Sequence, residues 1–362
     1  MSHFRDLSTR ICEWYNRNGR DLPWRRSHDP YHIWLSEIIL QQTRVNQGLP
    51  YYHRFIDRFP TIKRLAAAPE TEVLKLWQGL GYYSRARNLH HTARFIAQNY
   101  NGKFPACYEE IRALRGVGDY TAAAIASFAF GLPYAAVDGN VYRFLSRYFG
   151  VMDPVDSLTG KRICQDLATS LLPSCDPATH NQAMMEFGAT VCRPMAPLCT
   201  ECPFVDECHA FRFNITTALP VKSNRPKTRI RYFSYLFIKD DSYVYLNKRT
   251  GKDIWKNLYD LPLIETDHEI SPGEIIKSDC WIKLFGQSPA GVHEVSNVFR
   301  HKLSHQEIHA RFYTLNYKRK LPIVDFQYEK VHFETLSAFP VPRLIENYFR
   351  ERLPNYTVKQ DK

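Results

Sequence analysis

The chain has 362 residues, 44% of them hydrophobic and 23% charged, and a net charge of +11. This composition excludes a disordered or fibrous chain and predicts two or three globular domains. The basic excess favours a polyanionic partner, nucleic acid first. No run of about eighteen apolar residues occurs, so no transmembrane helix is expected. The mixed, charged N-terminus has no signal-peptide core, and a cytoplasmic location is expected. Of nine cysteines, four crowd into residues 192–208. The others (Cys12, Cys107, Cys164, Cys175, Cys280) are scattered. In a chain this long without a secretion signal, a metal site fits better than a disulfide framework.

Residues 1–18 read as a helix, ended by Asn18-Gly19. Asp29-Pro30 reads as the next helix start, with Asp at the N-cap and Pro at the first helical position. In the helix that follows, Trp34, Leu35, Ile38 and Ile39 form the buried stripe. Glu37 lies within this apolar run, on the face shared with Gln41. It is either a solvated edge residue or a carboxylate in a pocket, where burial raises its pKa towards that of a general acid. Helical patterns recur at 49–59, 71–78, 85–100 and 108–114. Between two of them runs Gly79-Leu80-Gly81-Tyr82-Tyr83-Ser84-Arg85. Its tyrosines either pack internally or, beside Arg85 and Arg87, stack on or wedge between bases.

Gly116-Val117-Gly118 precedes a small-residue helical run at 121–130. Such a turn aims unpaired N–H groups outward, where they can hold a phosphate. Val137-Asp138-Gly139-Asn140 opens another helix, with Asp138 either an N-cap, a catalytic carboxylate, or both. Residues 161–188 continue as helix, with Met184 and Met185 expected to fill the core. Cys192, Cys199, Cys202 and Cys208 follow as C-x6-C-x2-C-x5-C. Four thiolates in this span suit zinc or an iron–sulfur cluster, and one short spacing flanked by longer ones fits a cubane cluster better. The Pro-, Thr- and Lys/Arg-rich stretch 214–230 reads as a linker. Beyond it the periodicity changes. Residues 231–239 and 242–248 alternate around Asp240-Asp241 as strand, turn and strand. Residues 255–263, 292–299 and 309–315 continue the β character, and 342–353 close the chain as a helix. This second domain is α+β.

Seven stretches together resemble the helix-hairpin-helix glycosylase superfamily, and within it the adenine DNA glycosylases of the MutY type. They are LPWR (22–25), WLSEIILQQTRV (34–45), LWQGLGYYSRARNLH (76–90), LRGVGDYTAAAI (114–125), AVDGNVYRFLSR (136–147), NQAMMEFGATVC (181–192) and the cysteine set. Their order carries more weight than any one of them. The resemblance implies a mostly α catalytic region over 1–213. It comprises a six-helix barrel at about 25–130 and a module for a 4Fe-4S cluster, built from 1–24 and 131–213, with Cys192, Cys199, Cys202 and Cys208 as ligands. The linker 214–230 then leads to a Nudix-like lesion-recognition domain at 231–362. No Nudix box (G-x5-E-x7-R-E-x2-E-E) follows residue 231, so nucleotide hydrolysis is not expected there.

The resemblance also implies roles. Glu37 resembles the acid that protonates adenine N7, and Asp138 the carboxylate that stabilises the sugar cation. Tyr120 and Asn140 resemble groups that position them. Arg25 and Gln182 match contacts to the flipped adenine. Gln42 and Tyr82 match residues that fill or wedge the stack, and Thr43 and Leu80 match contacts around 8-oxoguanine. Gly116 and Gly118 match the hairpin that grips the DNA backbone. Ser304 and His305 match a Phe-Ser-His reading loop in which Leu303 here replaces the aromatic. The implied substrate is double-stranded DNA with an 8-oxoguanine:adenine or guanine:adenine mispair, bound by a monomer in the bacterial cytoplasm at the nucleoid. Breaking the N-glycosidic bond through an oxocarbenium-like state calls for a proton donor to the base and a carboxylate near the sugar, on a base already out of the stack. Two alternatives remain. One is a bifunctional glycosylase/lyase of the endonuclease III type. Those relatives carry a lysine where Tyr120 stands here, and a phenol cannot form a Schiff base. The other is a non-catalytic iron–sulfur DNA-binding protein, in which Glu37 and Asp138 would merely repel phosphate.

Overall fold

The computed structural model describes residues 2–172, 176–223, 228–285, 291–316, 328–353 and 356. Cys175 and residues 224–227 of the expected linker lie outside them. The chain forms two compact units. The first comprises 1–67 and 88–225, and the second 68–87 and 226–362. No helix among the described residues is long and apolar enough to cross a membrane.

The first unit is helical. Its elements are α1 (Ser2–Asn18), α2 (Pro30–Leu40), α3 (Val45–Arg58) and α4 (Ile62–Ala67). After α5 (Glu70–Leu76), which belongs to the second unit, come α6 (Ser84–Asn99), α7 (Tyr108–Ala113), α8 (Asp119–Phe130), α9 (Gly139–Phe149), α10 (Leu158–Leu171), α11 (Pro177–Thr190) and the short α12 (His209–Arg212). The starts follow the capping residues. Asp29 accepts from Tyr31 N before α2, Ser157 from Gly160 N before α10, and Asp176 from Thr179 N before α11. The single helical stretch expected over 161–188 is therefore two helices, because Asp176-Pro177 restarts it. Leu7 and Ile11 of α1 share one core with Val141, Phe144 and Leu145 of α9, Ala168 of α10, and Ala183 and Phe187 of α11. The first helix thus packs on elements more than a hundred residues later.

Among the described residues, the second unit is built on an eight-stranded mixed sheet: β1 (Arg229–Asp240), β2 (Tyr243–Lys248), β3 (Tyr259–Asp260), β4 (Leu263–Thr266), β5 (Val292–Val295), β6 (Phe299–Lys302), β7 (Gln306–Asn316) and β8 (Tyr328–His332). β1 and β7 pair in parallel from Arg229↔Gln306 to Lys239↔Asn316, and the other pairings are antiparallel. The strand expected over 255–263 is reduced to Tyr259–Asp260, and that over 292–299 breaks between β5 and β6. Two short helices, α13 (Pro272–Ile275) and α14 (Asp279–Phe285), place Ile275, Trp281 and Phe285 against Leu236, Ile238, Tyr313 and Leu315. The residues that alternate with these face the other way. Phe237 meets Tyr348 and Phe349 of α15 (Arg343–Arg352), and Phe312 stacks on Tyr348 at 3.8 Å. A period of two on β1 and β7 has become a sheet with helices on both faces.

Candidate active site and thiol centre

A cavity of about 400 Å³ opens in the helical unit, lined by Arg25, Glu37, Gln41, Gln42, Thr43, Tyr120, Asp138, Asn140, Gln182, Met185 and Glu186, among others. Four elements supply its chemistry. Helix α2 turns Glu37 off its apolar stripe into the cavity, where it is 6% exposed. Burial is the main force on this carboxyl and pushes it up to about 7. The hydrogen bond from Tyr120 Oη to Glu37 Oε2 (2.5 Å) and the charge of Arg25 oppose the rise, whereas Asp138 adds to it. Of the two sequence readings, the pocket one is met.

Asp138 lines the cavity and also caps a helix. It is the N-cap of α9: Oδ1 accepts from Asn140 N and Val141 N, each at 2.8 Å, and Oδ2 from Asn140 Nδ2 at 2.6 Å. Burial pushes its pKa up as well, but these donors and Arg143 pull against the rise. Two carboxylates thus share one cavity with unequal support. Glu37 has a single hydroxyl donor, whereas Asp138 has three N–H donors. The proton therefore goes to Glu37 and the charge stays on Asp138.

Helix α11 contributes a face that its sequence concealed. Gln182, Met185, Glu186 and Ala189 recur at helical spacing along the cavity wall. Met185 packs partly against the core and also walls the cavity, with its Sδ 3.9 Å from Tyr120 Oη, and Met184 is buried in the core as expected. Glu186 was not singled out from the sequence, where a glutamate on a helix reads as a solvated one. It is fully buried. Its carboxylate accepts from Arg20 Nε at 2.6 Å and from Arg25 Nη2 at 2.7 Å. Burial alone would push Glu186 up, but the two guanidiniums hold it below its ordinary value. Arg25 is thereby fixed at the cavity wall. Gln182 Oε1 is held by Tyr15 Oη at 2.7 Å.

Asn181 was also missed. Its Oδ1 accepts from Ala136 N at 3.0 Å, and its Nδ2 donates to Tyr134 O at 2.8 Å and Ser127 Oγ at 3.0 Å. This buried amide fastens the loop that delivers Asp138. Arg143 fastens the other side, donating to Asn140 Oδ1 (2.8 Å), Gly188 O (2.6 Å) and Cys192 O (2.7 Å). A Cβ on Gly188 would meet Asn140 O at 2.6 Å, so α11 approaches the start of α9 only through a glycine.

The remaining sequence candidates do not line this cavity. Gly116 and Gly118 form the turn between α7 and α8. Gly116 has φ +83°, and a Cβ there would lie 2.7 Å from that of Asn88. Leu80, Tyr82, Ser304 and His305 belong to the second unit. Leu80 is buried, and Tyr82 is 47% exposed. Tyr82 at φ +48° and Gln42 at φ +59° both hold a left-handed backbone, which is costly for a side chain other than glycine and concentrates at functional sites. Ser304 and His305 project from the β6–β7 turn, which Leu303 N closes on Gln306 O.

Cys192, Cys199, Cys202 and Cys208 line a second cavity, walled by Phe144, Tyr148, Phe187 and Phe204. Burial pushes the Cys202 thiol up to about 12, and the other three cysteines add to the rise, so the four sulfurs lie within each other's field. Buried Arg147 places Nη1 3.5 Å from Cys192 Sγ, a fixed positive charge beside the thiols. Among the described residues, no three His, Cys, Asp or Glu side chains close on one point as a single metal ion requires. A cubane cluster makes no such demand, because each thiolate binds a different iron. The donor set and its compensating cation fit that group.

Comparison with known proteins bears on the same residues. Residues 35–166 match the HhH-GPD family of base excision DNA repair proteins, and 234–351 match the NUDIX domain. The helical part is similar to the structure of a thermostable thymine-DNA glycosylase (30% identity, TM-score 0.54, covering 59% of this chain and 98% of that one). It also shares its fold with an endonuclease III–DNA complex (22% identity, TM-score 0.52, covering 59% and 97%). Curated relatives extend the match. The adenine DNA glycosylase of Buchnera aphidicola (Baizongia pistaciae strain) is 38% identical over 304 residues, 82% of each chain. That of Homo sapiens is 43% identical over 210 residues, 55% of this chain and 38% of that one. With two carboxylates in one cavity of a helix-hairpin-helix fold, and this identity across four-fifths of its length, the chain belongs to the adenine DNA glycosylase family, enzymes that hydrolyse N-glycosyl bonds.

Proposed function

We propose that the protein removes adenine paired with 8-oxoguanine or guanine and leaves the strand intact. The unequal carboxylate pair in the cavity carries this reading. Glu37, near half-protonated at neutral pH, donates to adenine N7, and the base departs as a neutral leaving group. The Asp138 carboxylate, aimed by Asn140 and Val141, faces the positive charge that develops on the sugar. Tyr120 orients Glu37 by its hydrogen bond. Because residue 120 is a phenol and not an amine, water completes the reaction and no Schiff base precedes it. Arg25 and Gln182 hold the extruded base, Gln42 and Tyr82 occupy the stack it leaves, and Thr43, Leu80, Ser304 and His305 contact the opposite nucleotide. Region 1–213 is the catalytic part and 231–362 the lesion-recognition part.

The test is single-turnover adenine release from an 8-oxoguanine:adenine duplex, followed by borohydride treatment. Adenine release without a trapped protein–DNA adduct is expected. An adduct forming as fast as adenine leaves would overturn the monofunctional assignment, and absence of release would overturn the substrate.

We further assign Cys192, Cys199, Cys202 and Cys208 as ligands of a 4Fe-4S cluster. When bound, the cluster supplies a structural cross-link between the end of α11 and the loop before α12. Protein purified without air is expected to be brown and to hold iron and acid-labile sulfide in equal amounts, about four each per chain. Stoichiometric zinc without sulfide would refute the assignment.

A further inference from the structure

The stretch 68–87 precedes the sheet unit by some 140 residues of chain, yet it folds as part of that unit. Specific polar contacts hold it there. Gln78 Oε1 accepts from Val341 N at 3.3 Å and from Lys75 Nζ at 3.0 Å. The same ammonium donates to Phe339 O at 3.2 Å, and Tyr83 Oη lies 3.5 Å from Val341 O. Asn257 Nδ2 donates to Glu70 Oε1, and Arg87 Nη1 to Lys256 O at 2.9 Å. Gln78 is 8% exposed.

What this clasp carries is the loop Gly79–Arg85. Gly79, Gly81 and Tyr82 all have positive φ, at +99°, +74° and +48°. Trp77 Nε1 and Arg85 Nη2 both donate to Gly81 O, and the Arg85 guanidinium lies 5.1 Å from the Trp77 ring and 5.5 Å from that of Tyr82. The loop is therefore held at its base, with Trp77, Leu80, Tyr83 and Arg85 buried and Tyr82 and Ser84 exposed. On the other side of the clasp, Phe339 and Val341 lead directly into α15. Tyr348 of that helix stacks on Phe312 of β7, the strand that begins just after Ser304-His305.

We propose that Gln78 and Lys75 are positioning residues that mount the Tyr82 loop on the sheet unit, so that probing of the duplex by Tyr82 and reading of the opposite base by Ser304-His305 act as one rigid device. Discrimination between mispairs then depends on the clasp and not only on the residues that touch DNA. The inference rests on the proposed reading in which Tyr82 and His305 contact the duplex.

The test compares Gln78→Leu, which keeps the volume and removes the acceptor, with His305→Ala and with the double variant. The readout is the ratio of affinities for 8-oxoguanine:adenine and guanine:adenine duplexes, with thermal melting as the control for folding. The expected result is that Gln78→Leu lowers the ratio about tenfold, the scale of one or two lost hydrogen bonds, and that the double variant loses no more than His305→Ala alone. A multiplicative loss in the double variant, or an unchanged ratio in Gln78→Leu while His305→Ala lowers it, overturns the inference. An unchanged ratio in His305→Ala overturns instead the underlying reading of the β6–β7 turn. Should Gln78→Leu not fold, Lys75→Met removes the second half of the clasp and is judged by the same ratio.

Discussion

Glu37→Gln is expected to reduce adenine release by about 10²–10⁴-fold while making the free protein more stable above neutral pH. Both effects have one cause. A carboxyl in the folded cavity titrates near 7, well above its ordinary value of 4.5. Below pH 4.5 the group is neutral in folded and unfolded chains alike and costs nothing. Between those values the folded chain binds more protons than the unfolded one, so stability falls as pH rises, and the full cost is present above 7. Glutamine carries no charge to desolvate and still accepts the Tyr120 hydrogen bond through its amide oxygen. The gain is of order 1–3 kcal/mol at pH 8 and near zero at pH 4. Thermal melts of both proteins at the two pH values check it. A variant equally destabilised at both would mean that the Tyr120 contact outweighs the buried charge. Wild-type single-turnover rates should fall as pH rises through about 7, as the acid loses its proton.

The second large effect separates the two parts played by Asp138. Asp138→Asn keeps an oxygen that accepts from Asn140 N and Val141 N, so the cap of α9 survives, since Asn and Asp cap about equally well. It loses the negative charge facing the sugar and the bond from Asn140 Nδ2. Adenine release should fall by about 10³-fold, with the melting temperature little changed. Asp138→Ala should lose the same activity and, in addition, about 1 kcal/mol of stability from the unmade cap. An Asn variant that releases adenine at the wild-type rate would remove Asp138 from the chemistry and leave only the cap.

Much of the cavity was legible because its residues break local patterns. Glu37 interrupts an apolar run, and Asp138 and Asn140 straddle a helix start; outside the cavity, Gly116 meets a positive φ that favours glycine. Glu186 and Asn181 broke nothing. A polar residue on a helix is ordinary until its partners are known, and those partners, Arg20, Arg25, Tyr134 and Ala136, come from distant parts of the chain. Met185 packs against the core as expected, yet it also lines the cavity, which no local pattern on α11 signals. In the sheet, alternation revealed β1, β2 and the middle of β7. It carried no information about the parallel pairing of β1 with β7, because register and neighbour are set by packing from α14 and α15. The short strand Tyr259–Asp260 was overestimated for the same reason: apolar residues around it are buried by the sheet without pairing in it.

The membership of residues 68–87 in the sheet unit also dictates an order of events on the ribosome. Gln78 and Lys75 emerge early, but Val341 and Phe339 are made some 260 residues later. At about 5–20 residues per second, the segment waits on the order of 10–50 s for its partners. The parallel strands β1 and β7 impose a second, shorter wait of the same kind, since β1 is complete at residue 240 but its partner only at residue 316. The helical unit can close around its cavity during this interval, with the wedge loop still unmounted. On the proposed reading, a nascent chain of this protein therefore acquires its chemistry before its means of choosing where to apply it.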